Sequence, residues 1–154
     1  LQEHTSALEE GKADVLGLYM VTELHGQGEL GEAELMDYYV TFLGSIFRSI
    51  RFSSASAHGR ANLIRFNFFR EMEAFSRGDD GTYRVDFDKM QAAMNALSEK
   101  ILRLQGDGDY DAVAAFVAEH GREGETLRAD LDRLKAAGIP VDIVYEQGVK
   151  VLGL

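Results

Sequence analysis

The chain has 154 residues with 16 basic and 26 acidic side chains, a formal net charge of −10 at pH 7, 45% apolar residues and no cysteine. Such a length and composition describe one ordinary globular domain, and they exclude disulfides, thiolate zinc sites and cysteine nucleophiles. Excess acid argues against a nucleic-acid partner, no apolar run approaches the ~20 residues of a membrane span, and the missing cysteine fits a reducing, cytoplasmic compartment.

Pro140 is the one proline, so long helices are permitted almost throughout. Ser6-Ala7-Leu8-Glu9 has the form of a capping box, in which serine accepts from a first-turn amide and the glutamate reaches back. A helix over 6–24 follows, with Leu8, Val15, Leu18 and Tyr19 on one face, and His25-Gly26-Gln27-Gly28 ends it. Leu35, Tyr39, Phe42, Leu43, Ile46 and Ile50 recur at three- and four-residue steps and predict a second helix over 32–52. Ser53 to Ser56 supply a break and a new cap for a third, over 57–75. Gly78-Asp79-Asp80-Gly81 is turn chemistry, and Tyr83, Val85 and Phe87 alternate, which predicts a short hairpin near 78–87. Helices over 88–104, 110–119 and 123–136 come next, punctuated by glycines at 106, 108, 121, 124 and 138. The tail, 141–145 and 149–152, reads as extended structure or a loose hairpin. The expected architecture is mainly α: five to six helices in an irregular bundle, forming a single domain over 1–154.

Four histidines, His4, His25, His58 and His120, lie too far apart in sequence for one helix to offer two imidazoles to a metal. No glycine-rich phosphate loop and no Gly-x-Ser-x-Gly elbow is present. Three partial features remain. Glu9-Glu10-Gly11-Lys12-Ala13-Asp14 places Glu10 and Asp14 on one helical face; it is either a solvated acidic helix start favoured by the helix dipole or a free carboxylate aimed elsewhere. Ala57-His58-Gly59-Arg60-Ala61-Asn62 offers a histidine that could donate to a developing oxyanion or simply bond the backbone. Finally, Arg48, Arg51, Arg60, Arg65, Arg70 and Arg77 stand against only Glu71 and Glu73 in the same stretch. They either line a wall for a carboxylate or pair with acidic faces of other helices. The phenylalanines among them (Phe42, Phe47, Phe52, Phe66, Phe68, Phe69) are expected in the core.

Together these stretches resemble the C-terminal part of the dipeptidyl peptidase III family of zinc metallopeptidases, especially bacterial members. Leu8-Glu9-Glu10-Gly11-Lys12-Ala13-Asp14-Val15-Leu16-Gly17-Leu18-Tyr19 carries the resemblance. Support comes from 42–52, Ala57-His58, Val85-Asp86-Phe87-Asp88-Lys89 and 105–110. The resemblance implies that Glu10 is a zinc ligand, with Glu9 beside it. It implies that Asp14 accepts an N–H from a metal-bound imidazole, and that His58 helps stabilise the tetrahedral transition state. Asn62 stands where some eukaryotic relatives have arginine, and with Arg65 it is a candidate substrate contact. Gly11, often alanine in similar sequences, costs about 1 kcal/mol of helix propensity.

The family's two zinc-binding histidines and its general-base glutamate sit in a His-Glu-x-x-Gly-His-type helix preceding the Glu-Glu motif, and no such segment occurs within these 154 residues. The chain, which starts without methionine, is therefore expected to be a C-terminal fragment of a larger peptidase. It would be inactive alone, would bind zinc weakly, would self-associate, and would be partnered by the N-terminal remainder, with short peptides as substrates. Two alternatives remain: a non-enzymatic helical interaction or regulatory module, and part of a protein labelled as a Nudix-type hydrolase. For the latter, Glu9, Glu10 and Asp14 would bind Mg²⁺, although the glutamate pattern of a Nudix signature is missing.

Overall fold

The computed structural model describes residues 1–52, 56–142 and 145–153. After a 3-10 turn at Gln2–His4, helix α1 covers Thr5–Gly26, α2 Leu35–Ile50 and α3 Ala57–Glu71. A two-stranded antiparallel hairpin of β1 (Phe75–Arg77) and β2 (Tyr83–Val85) pairs Phe75 with Val85 and Arg77 with Tyr83. Helices α4 (Phe87–Asp107), α5 (Tyr110–His120), α6 (Glu125–Ala136) and a single turn, α7 (Val149–Leu152), complete the chain. The mainly-α bundle with one hairpin is the architecture that the apolar periodicity predicts.

Helix α3 is central, packed against α1, α2, α4 and α5. Its burial runs all round, from Leu63 and Ile64 through Phe66 and Phe69. The helices around it each present one stripe: Leu8, Val15 and Leu18 from α1, Tyr39, Leu43, Ile46 and Ile50 from α2, and Met90, Met94, Leu97, Ile101 and Leu104 from α4. Steps of three and four keep those side chains on one face, so burying the stripe is what holds each helix. Ser56, Asp86 and Asp109 cap α3, α4 and α5, each accepting from an amide three residues on at 3.0 Å.

Several boundaries differ from expectation for local reasons. The capping box at Ser6 and Glu9 does not form. Chain enters α1 directly from the 3-10 turn, where Thr5 N–H already bonds the Gln2 carbonyl, so Ser6 lies inside the helix. Helix α3 stops at Glu71 rather than 75, because Glu73 turns to φ 54° and Ala74 N–H bonds back to the Phe69 carbonyl at 2.8 Å. Phe87 opens α4 instead of ending the hairpin. Tyr19 and Phe52 are exposed rather than core; the Arg48 guanidinium lies 4.9 Å from the Phe52 ring centroid. The tail carries a helical turn at α7, while Ile143 and Val144 of its predicted extended run lie outside the described residues.

Candidate functional site on α1 and α3

Small residues set the distance between α1 and α3. A Cβ added at Gly11 would meet Ala61 Cβ at 3.9 Å and Ile101 Cδ1 at 3.5 Å, so these two helices approach where they carry almost no side chain. Close approach lets polar side chains flanking that contact reach across. Glu10 Oε2 lies 3.2 Å from His58 Nδ1. One turn along, Asp14 Oδ2 accepts from Arg65 Nη2 at 2.7 Å. Arg65 Nη2 also donates to Asn62 Oδ1 at 2.8 Å, and Asn62 Nδ2 donates to the His58 carbonyl at 2.8 Å. Five of the residues singled out from sequence thus form a ladder joining Glu10 and Asp14 on α1 to His58, Asn62 and Arg65 on α3.

Exposure divides the ladder into an outer and an inner end. His58 and Glu10 side chains are 68% and 37% exposed, whereas Arg65 is 2% exposed. Arg65 lies 5.0 Å from the Phe42 ring centroid, and its Nε and Nη1 have no hydrogen-bond partner among the described residues. Burial pulls the Arg65 guanidinium below its usual value, and Asp14 beside it works in the opposite sense. Asn62 is also buried. Glu9 stands apart: Lys12 at 2.8 Å, and Gln105 Nε2 at 2.8 Å, hold its carboxyl below the usual carboxylate range.

The other three histidines have structural surroundings. His25 Nε2 lies 2.9 Å from the Ala33 carbonyl, closing the α1–α2 loop. His4 packs on the Tyr110 ring at 5.6 Å. His120 is buried against Phe116 and Phe68, with Nε2 3.0 Å from Glu71 Oε2. Among the described residues no group of three or more His, Cys, Asp or Glu gathers in a way that could hold a metal ion. Glu10 is an oxygen donor of a kind zinc accepts, so the residues present fit one position of a zinc site. No helix of the described residues is long and apolar enough to cross a membrane.

The arginine stretch does not act as a single wall. Arg65 is taken by Asp14, while Arg77 makes a two-point bond to Asp130 at 2.7 and 2.9 Å. Tyr83 and Arg133 also donate to Asp130, at 2.6 and 2.9 Å. Arg77 first, then Tyr83 and Arg133, hold the buried Asp130 carboxyl well below the usual range, while burial and Asp130 together push the Tyr83 phenol up. This network joins the hairpin to α6, and in it Arg77 follows the second of the two sequence readings, pairing with an acid on a neighbouring helix; Asp130 as that acid had no local signal.

No family model matches the chain. A curated relative from Arabidopsis thaliana, Nudix hydrolase 3, is 39% identical over 143 residues, which is 93% of this chain and 18% of that protein. Among solved structures, dipeptidyl peptidase III from Caldithrix abyssi superposes with a TM-score of 0.88 at 33% identity, covering 97% of this chain and 29% of that one. The dipeptidyl peptidase III of Corallococcus sp. strain EGB gives 0.85 at 36% identity, over 97% and 27% respectively. The chain therefore spans less than a third of each protein it matches, and over that span it has the fold of a segment of bacterial dipeptidyl peptidase III.

Proposed function

We propose that this chain is the helical segment of a zinc-dependent exopeptidase of the dipeptidyl peptidase III type, acting on short peptides once joined to the remainder of that enzyme. The observation that carries this reading is the α1–α3 ladder, in which Glu10 meets His58 at 3.2 Å and Asp14 meets Arg65 at 2.7 Å. Glu10 would be one ligand of the metal, with the others supplied from outside these residues. When bound, zinc polarises a peptide carbonyl and acidifies water. Glu10 presents its carboxylate from a half-exposed position. His58, on the first turn of α3 and the more exposed of the pair, would donate an N–H to the oxygen that gains charge as the carbonyl is attacked. Asp14, held by Arg65, would accept the outward N–H of an imidazole ligand and fix its orientation. The face of α1 that carries these carboxylates also exposes Ala13, Gly17 and Met20, small or apolar groups on which the remainder of the enzyme would pack.

The Nudix designation belongs to a protein of which this chain spans 18%, and the sequence lacks the glutamate pattern that such chemistry uses. A non-enzymatic helical module is the competing reading. One experiment separates them: express the protein that contains this chain, and measure zinc content and dipeptide release from a short peptide. Expected are stoichiometric zinc lost in Glu10→Ala, about 10–100-fold weaker zinc binding in Asp14→Asn, and a kcat lowered about 10²–10³-fold in His58→Ala. Full zinc and unchanged turnover in Glu10→Ala would refute the peptidase reading.

A further inference from the structure

A cleft of about 530 Å³ lies between α2, the hairpin turn and α6, closed on one side by the tail at Ile139 and Pro140. None of its lining residues belongs to the α1–α3 ladder. Its volume is that of a small-molecule site. The floor is apolar, from Phe47, Leu134 and Ala137, and three arginines, Arg48, Arg51 and Arg133, stand around it against a single carboxylate, Asp130. Asp130 is already saturated by Arg77, Tyr83 and Arg133, so its charge is spent within the wall. In a chain of net charge −10 this is a local excess of positive charge beside apolar surface.

The tail shows what the two remaining arginines donate to. Arg48 Nη2 donates to a carboxylate oxygen, Asp142 Oδ1, at 3.0 Å. Arg51 donates from Nη2 to the Ile139 carbonyl at 2.6 Å and from Nη1 to the Pro140 carbonyl at 3.4 Å. The charged partner of Arg48 among the described residues is thus a carboxylate; both side chains of the pair are more than half exposed, and such pairs are weak.

From this geometry we infer that the cleft binds a small amphipathic carboxylate, its apolar body over Phe47 and Leu134 and its acid group on Arg48 and Arg51, in competition with Asp142. Planar two-point recognition of a carboxylate is what guanidinium groups do best, and the apolar floor supplies the area that a bare anion would leave unused.

The test is an NMR titration of the isotope-labelled chain with 2-naphthoate, with its methyl ester and with inorganic phosphate. Naphthoate should give saturable shifts centred on Phe47, Gly81 and Leu134, binding about tenfold more tightly than the ester. Arg48→Gln combined with Arg51→Gln should erase that tenfold difference, and Asp142→Asn should tighten naphthoate by about threefold. Unchanged spectra away from the cleft would show that these surface variants fold. Equal binding of acid and ester, shifts that never saturate, or a charge preference that survives loss of both arginines would overturn the proposal. Phosphate reproducing the naphthoate shifts would overturn the apolar part of it.

Discussion

Arg65 and Asp14 are paired at 2.7 Å, yet one is buried and the other is 45% exposed, so their removal is not equivalent. Without Asp14, the guanidinium loses its one charged partner among the described residues while remaining in the core. Without Arg65, the aspartate is left in water. Replacing a buried charge by an apolar side chain of similar volume is often neutral or stabilising, whereas stripping its partner away costs about 3–5 kcal/mol. Asp14→Ala should therefore lower unfolding free energy by about 3 kcal/mol in urea, and Arg65→Met, which also removes two unpartnered N–H groups, by less than about 1 kcal/mol. Equal losses would show that the pair is a surface interaction. At this scale Glu10, Asp14 and His58 were legible because they sit in ordered motifs. The Arg65–Asp14 link was not, since a hydrogen bond 51 residues apart leaves no local pattern. For the same reason nothing local marks Asp130 as the partner of Arg77 and Tyr83, 53 and 47 residues away.

Helix boundaries were legible wherever a capping residue or an apolar step marked them, as at Ser56, Asp86 and Asp109. They were misread where backbone bonds alone decide, as at the 3-10 turn before α1 and the left-handed Glu73 after α3. Gly11 is the element-scale example with an energetic consequence. A glycine inside a helix costs about 1 kcal/mol relative to alanine, and here an added methyl would make only ordinary contacts of 3.5 and 3.9 Å. Gly11→Ala should stabilise the chain by about 0.5–1 kcal/mol, raising Tm by roughly 2–4 °C. Gly11→Leu should instead cost about 1–3 kcal/mol through overpacking and weaken the Glu10–His58 contact, followed through His58 ring shifts. A stabilising leucine would mean that α1 and α3 do not meet here. Gly81 is constrained the other way: at φ 77° it holds a left-handed turn that a side chain would strain, whatever room the flexible Arg133 guanidinium end could give.

For the whole molecule, the Asp130 network ties the hairpin and α6 into the bundle and gives stability a defined dependence on pH. Asp130 is held below its unfolded value, so its contribution is complete above about pH 4 and is lost as pH falls toward its lower folded pKa. Tyr83 is raised, so its contribution is complete below about pH 10 and is lost as pH rises toward its higher folded pKa. Asp130→Asn should cost about 3 kcal/mol at pH 7, and the gap from the parent chain should narrow when urea denaturation is repeated at pH 3. A constant gap would place the acid sensitivity elsewhere. Helix α3 sits at the other extreme from this peripheral network. Its stretch from Ala61 through Asn67 is buried at every residue, and four helices pack on it. A helical stretch with no exposed side cannot lift out singly, so its amide protons reach solvent only through openings that disperse the surrounding helices as well. The core stretch just beyond His58, which carries Asn62 and Arg65, is thereby as long-lived as the native state itself.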